Sequence, residues 1–169
     1  MIEDKPLKGG ARSPLPRDGS ITIRALKESD LAEAARLLGF LNPDTPLSLV
    51  RERLETMLHD YPHYQIVGAF DDLRLAGVCG AWIATKIWCG RYLEIDNLVV
   101  DPDARSGGVG TLLIQHLEEI GREQDCKILV LDSYTSNHPS HRLYHRLGFE
   151  IWGFHFIKSI GNWSGKGSA

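Results

Sequence analysis

The stretch from Tyr92 to Leu131 constrains the fold more tightly than any other part of the chain. Tyr92 to Val100 alternates like a strand, and Pro102 punctuates it. Glycines follow at 107, 108 and 110, and Leu112, Leu113, Leu117 and Ile120 then recur along one stripe of a helix. Lys127-Ile-Leu-Val-Leu131 is a continuous apolar run, predicted to be a strand buried inside a sheet. The order is strand, glycine-rich turn, helix, strand. Glycines at such a turn let the backbone approach an anion closely, and the amides and dipole of the following helix favour negative charge. A phosphate-bearing ligand is the natural occupant. The spacing is neither the G-x-G-x-x-G of dinucleotide sites nor the Gly-Lys-Ser/Thr ending of a P-loop. Taken alone, glycines so placed more often form only a turn.

The rest of the chain extends this unit on both sides. Ile21 to Ala25 reads as a strand, and Asp30 offers a cap to a helix through Leu31, Ala34, Ala35 and Leu38 that Gly39 can end. After the loop Asn42 to Pro46, a second helix carries Leu47, Val50, Leu54, Met57 and Leu58 at helical spacing. Tyr64 to Phe70 and Leu75 to Trp88 read as strands joined by a turn at Asp71-Asp72. A short helix, Ser140 to Leu147, and a last strand, Phe149 to Lys158, complete a mixed α/β domain over residues 20–160. With 169 residues, 43% of them hydrophobic, one core can form without metal or disulfide support. Residues 1–19, with three prolines and three glycines, and residues 161–169 are expected to be flexible tails.

Several function classes recede on the same reading. The most apolar stretch, Leu75 to Trp88, is too short and too interrupted to cross a bilayer, so no membrane partner is expected. Residues 1–20 lack the apolar run of a signal peptide, and a cytoplasmic location is the default expectation. Cys79, Cys89 and Cys126 are widely spaced and odd in number, which suits ordinary thiols. A formal charge of -3 supplies no global basic field for nucleic acid. His138, His141 and His145 are dense, but no carboxylate or cysteine joins them at ligand spacing, so no metal is expected.

The run Leu98-Val-Val-Asp-Pro-Asp-Ala-Arg105-Ser-Gly-Gly108-Val-Gly110-Thr-Leu-Leu resembles the coenzyme-binding motif of the GNAT N-acetyltransferases, Arg/Gln-x-x-Gly-x-Gly/Ala. A second block, Asn137-His-Pro-Ser140-His-Arg-Leu-Tyr144-His-Arg-Leu-Gly148-Phe149, resembles that family's Asn-x-x-Ala-x-x-hydrophobic-Tyr-x-x-x-Gly-Phe signature. The resemblance spans about residues 21–158, strongly from Leu93 onward. It departs at Ser106, where the family usually has Gly, and at Ser140, where it usually has Ala. The fold implied is a mixed, mostly antiparallel sheet of six or seven strands flanked by about four helices. Many members place two strands after the Gly-Phe pair, whereas a single run, Phe149 to Lys158, follows it here, so the last strand would be absent or borrowed from a partner subunit. A homodimer is expected on that ground.

The resemblance also implies roles. Acetyl-CoA would be the co-substrate, its pyrophosphate held by Arg105, Ser106, Gly107, Gly108, Val109, Gly110 and Thr111, its pantetheine arm beside Leu98, Val99 and Val100, with Asn137 and Tyr144 close by. Tyr144 aligns with the acid that protonates the departing thiolate. The attacking amine needs a base, and Glu94, eleven residues before Arg105, matches the spacing of the glutamate in histone-type members. Glu94 and Asp96 share one strand face about 7 Å apart, so either of them, or a water, could take the proton. Residues 140–158 are similar to members acting on small amines, among them aminoalkylphosphonate and polyamine-type enzymes. The implied function is acetyl transfer to a primary amine, a small molecule before a protein, by direct attack in a ternary complex. A protein N-acetyltransferase and a non-catalytic acyl-CoA-binding regulator are the alternatives.

Overall fold

The computed structural model describes residues 21–161. The expected tails at 1–19 and 161–169 therefore lie outside the described residues, Gly161 excepted. In chain order the elements are β1 (Ile21–Ala25), α1 (Leu31–Gly39), α2 (Leu47–Asp60), β2 (Tyr64–Asp71), β3 (Arg74–Lys86), β4 (Gly90–Val100), α3 (Val109–Glu123), β5 (Ile128–Leu131) and α4 (His138–Arg146). The strands lie side by side in chain order. Those from β1 to β4 are antiparallel, and β5 joins β4 in parallel after the crossover through α3. The architecture is the mixed α/β, mostly antiparallel sheet that the sequence implies.

Period-2 alternation divides the sheet residues between two apolar layers. Leu37, Leu38, Val50 and Leu54 of α1 and α2 pack with Tyr64, Ile66, Phe70, Val78 and Val99 on one face. Val109, Leu113, Ile114 and Leu117 of α3 pack with Val67, Cys79, Ala81, Leu93 and Ile95 on the other. Leu113 and Leu117 are fully buried, each such side chain being worth about 1.5–3 kcal/mol over its exposed state. That burial fixes the amino end of α3 against β4.

Asp30 was expected to cap α1, but its side chain makes no cap bond there. It turns back instead, accepting from the Lys27 amide at 2.7 Å and pairing with Arg24 at 2.6 Å. The guanidinium hydrogen bond, opposed by a smaller desolvation cost, holds the Asp30 carboxyl below its ordinary range. A stronger local competitor thus took the cap's acceptor.

Two further expectations fail at the carboxy-terminal side. β5 was expected to be buried within the sheet, yet all four of its residues are half-buried, because β5 is the edge strand. The last strand, expected over Phe149–Lys158, is not formed, so the sheet has five strands among the described residues instead of six or seven. Ile151, Trp152, Phe154, Phe156 and Ile160 are largely exposed in an irregular segment. Alternation marks a chain that can pair, but a strand needs a ladder partner, and residues 150–160 find none among the described residues.

Candidate active site

Two departures from regular pairing shape the centre of the sheet. Pairing of β4 with β5 ends at Ile95↔Leu131, while β4 runs on to Val100, so the two strands separate beyond that point. Pairing of β3 with β4 jumps from Gly80↔Asp96 to Val78↔Val99, and Asn97 takes φ 53°. This bulge re-phases β4. Glu94 and Asp96 alternate with Leu93 and Ile95 and so face α1 and α2, whereas Leu98 and Val100 past the bulge join the α3 layer. Backbone groups of 98–100 on the β5 side therefore lie where an extended ligand could pair with them.

The glycine-rich loop ends at the amino terminus of α3. Gly108 precedes the helix with φ 80°, a left-handed conformation that lets the chain turn into the first turn of α3. No side chain caps this end, and the opening amides of a helix have no acceptor within it. A Cβ built on Gly108 would meet nothing within 4 Å, so the ground in front of the loop is open. These features fit a pyrophosphate. Arg105, Ser106 and Gly107 are exposed beside it, and Ser106 holds φ 67° where the resembled motif usually has Gly. Val109 is buried in the α3 layer, and Thr111 is half-buried one turn into the helix.

Asp101 anchors the base of this loop. Its buried carboxylate accepts from the Asp103 amide at 3.0 Å and pairs with Arg36 of α1 at 2.6 Å and Arg74 of β3 at 3.4 Å. Burial works to raise its pKa, but the hydrogen bonds and the two guanidinium charges hold it below the ordinary value. No local pattern marks Asp101 as an anchor. Its partners lie 65 and 27 positions away, and only the fold brings them together.

α4 reaches the same region through close packing with α3. A Cβ on Gly110 would lie 3.4 Å from Leu143 Cδ2 and 3.7 Å from Val100 Cγ2, so three elements converge there. The helix ends in a motif that explains the Gly-Phe pair: Gly148 at φ 87° donates to His145 O, and Phe149 donates to Tyr144 O. The Phe149 ring meets the Tyr144 ring edge-on at 5.9 Å. Tyr144 is thereby fixed, half-buried against the α3 layer. Burial raises its hydroxyl pKa, offset in part by Ser140 and supported by Cys79, so the phenol keeps its proton at neutral pH. Asn137 is exposed just before α4, and its carbonyl accepts from the His141 amide at 3.1 Å.

Asp96 occupies the opposite face. It accepts from Asn97 Nδ2 at 2.6 Å and Trp82 Nε1 at 3.3 Å. Burial raises its pKa, and the Glu94 charge adds to this against the hydrogen bonds from Trp82 and Asn97. Cys79, at the bulge between these faces, has its thiol pushed up by burial and by Asp96, and it acts in turn on Tyr144. Tyr144 packs against the α3 layer, and Asp96 faces the α1 and α2 side of the sheet. Asn97, Cys79 and Trp82 meet Asp96 here through strand register, which no local pattern marks. Among the described residues no three His, Cys, Asp or Glu side chains could hold a metal ion together. His141 and His145 instead bond the carbonyls of Tyr134 and Phe149.

The family model described as the acetyltransferase (GNAT) family matches residues 33–149. The chain belongs to the GNAT acetyltransferase family. As a GNAT enzyme it uses acetyl-CoA as co-substrate for N-acetylation. A glucosamine 6-phosphate N-acetyltransferase of Trypanosoma brucei brucei is 34% identical over 139 residues, covering 76% of this chain and 88% of its own. A Bacillus subtilis strain 168 relative, whose name describes N-acetylation of the alanine of ribosomal protein bS18, is 30% identical over 128 residues, covering 76% and 78%. Among solved structures, the aminoglycoside N-acetyltransferase AAC(6')-Iy in complex with CoA superposes with a TM-score of 0.76 at 23% identity, covering 87% of this GNAT chain and 99% of its own. No helix among the described residues is long and apolar enough to cross a membrane.

Proposed function

We propose that this GNAT enzyme acetylates a primary amine of a small molecule by direct attack in a ternary complex. The observation that carries the reading is the placement of a retained phenolic proton, Tyr144, and a basic-shifted carboxylate, Asp96, on opposite sides of the bulge in β4. Pyrophosphate is held by the loop and first turn from Arg105 to Thr111, and the pantetheine arm pairs with the backbone of Leu98, Val99 and Val100, with Asn137 at its side. The amine nitrogen attacks the thioester carbonyl, its proton passes to the carboxylate pair or a water, the C–S bond breaks, and Tyr144 protonates the leaving sulfur. Glu94 shares the acceptor face and either takes the proton itself or holds the cationic substrate. Catalysis resides in one domain over 20–160, in the cytoplasm, without metal, nucleic acid or membrane partners.

Exchange of these carboxylates tests the base. Burial raises the Asp96 pKa from its ordinary value, so activity should rise with pH through an acidic limb displaced upward from that of a free carboxylate. Asp96→Asn is expected to remove the limb and lower kcat/KM by about a hundredfold, with CoA affinity unchanged. If only Glu94→Gln removes it, the base lies two residues earlier. If both variants keep limb and rate, a water is the acceptor. A protein amino terminus is the second reading, supported by the name of the Bacillus relative. Thiol release with alanyl peptides but with no small amine would favour it.

We also propose a homodimer. Residues 150–160 and the outer edge of β5 together expose apolar side chains and unpaired backbone, and a second copy would cover both. Light scattering should give twice the chain mass. A monomer mass at every concentration sinks the proposal.

A further inference from the structure

Register across β2, β3 and β4 aligns side chains that the sequence keeps far apart. Tyr64 pairs with Trp82 and Trp82 with Glu94, forming one rung, while Ile66, Gly80 and Asp96 form the next. All of these project toward the face covered by α1 and α2. Gly80 leaves that rung hollow, and the Tyr64 ring leans across it: a Cβ on Gly80 would lie 2.2 Å from the Tyr64 hydroxyl. The Tyr64 hydroxyl is buried close to Asn97 and Asp96, and the residue is 6% exposed. Trp82 packs on Tyr64 at 4.6 Å, and Tyr61, immediately after α2, meets it edge-on at 5.5 Å. Helical cover ends here, with Tyr61 exposed and Trp82, Glu94 and Asp96 half-buried.

The charge balance of this corner is incomplete. Among the described residues neither Glu94 nor Asp96 has a lysine or arginine at ion-pair distance, whereas half-buried Asp30 and buried Asp101 do. Lys86, the cation on the same face of β3, lies 4.3 Å from the Tyr92 ring. Two like charges on a half-buried face are costly unless a counter-charge arrives. An amine that loses its proton to one carboxylate leaves the other uncompensated. A second, permanent ammonium on the acceptor would neutralise it, and aromatic rings beside it attract such a cation through their quadrupoles.

We infer that Trp82 and Tyr61, with Glu94 and Asp96, form a cation-selecting wall, and that the acceptor is a small amine carrying a second positive charge. This inference rests on the proposed acetylation of a small amine. Tyr64 is the positioning residue of the wall, setting the Trp82 ring from behind.

Three amines of graded charge test it: 1,4-diaminobutane, butylamine and glucosamine 6-phosphate, each followed by thiol release and by calorimetric titration into the protein saturated with CoA. The diamine is expected to exceed butylamine in kcat/KM and in affinity by at least about tenfold, with the phosphorylated sugar last. Trp82→Leu and Tyr61→Ala should each shrink that ratio by roughly threefold to tenfold, and Trp82→Phe should retain most of it. Tyr61 is exposed, so its variant remains informative if Trp82→Leu does not fold. Equal values for diamine and butylamine, or a preference for glucosamine 6-phosphate, overturn the wall while leaving small-amine acetylation standing. Selective diamine binding without thiol release does the reverse: it keeps the wall and removes that reaction.

Discussion

Gly108→Asp is expected to weaken CoA binding at least about a hundredfold while leaving the protein folded. The left-handed conformation at φ 80° costs an ordinary L residue about 1–2 kcal/mol, but aspartate tolerates it better than most. Beyond the adjoining backbone no atom lies within 4 Å of the added Cβ, so the empty protein offers the side chain no steric clash. What it meets is the ligand. A carboxylate would stand before the opening amides of α3, in the position proposed for the pyrophosphate, where repulsion between like charges replaces charge-assisted hydrogen bonds. Calorimetry with CoA checks the size of the loss, and Gly108→Asn separates charge from bulk, since asparagine accepts the same backbone and adds no charge. An unchanged Kd in folded Gly108→Asp would place the pyrophosphate elsewhere.

Tyr144→Phe should lower kcat by about a hundredfold or more and leave the Kd for acetyl-CoA within about threefold. The ring is held by its edge-on contact with Phe149 and by burial against the α3 layer, and phenylalanine keeps both. Only the hydroxyl is lost. Burial raises its pKa, so the wild-type phenol carries the proton that the developing thiolate needs. Interactions made only as charge develops appear in kcat and not in ground-state binding. Pre-steady-state measurement of thiol formation isolates the step. An undiminished rate would make Tyr144 a packing residue and leave solvent to protonate the sulfur.

How much of this was legible beforehand differs by element. The strand, loop and helix from Tyr92 to Glu123 were readable because each rests on local rules: alternation, a proline stop, glycines at a tight turn, and an apolar stripe. The Gly148-Phe149 pair was readable for the same reason, since the helix-ending motif it forms is made within six residues. Glu94 and Asp96 could be placed on one face from period 2 alone. Their different surroundings could not. Asp96 receives hydrogen bonds from Asn97 and from Trp82, fourteen positions earlier, and that second bond exists only in the observed β3/β4 register.

Sequence by itself determined the order of elements as far as α4, the face shared by Glu94 and Asp96, the glycine loop before α3 and the tyrosine on α4, because those follow from near-neighbour stereochemistry and from which side chains avoid water. Tertiary structure decided the rest. It set the bulge at Asn97, the separation of β4 from β5, the arginine pair around Asp101 and the aromatic wall beside the two carboxylates. It also decided against a strand after Phe149, where the apolar alternation is present but no ladder partner is available among the described residues. Each of these depends on contacts between residues distant in sequence, whose formation is governed by sheet register and by competition for partners. A local pattern can mark a residue as able to pair, but only the assembled sheet determines whether its partner is there.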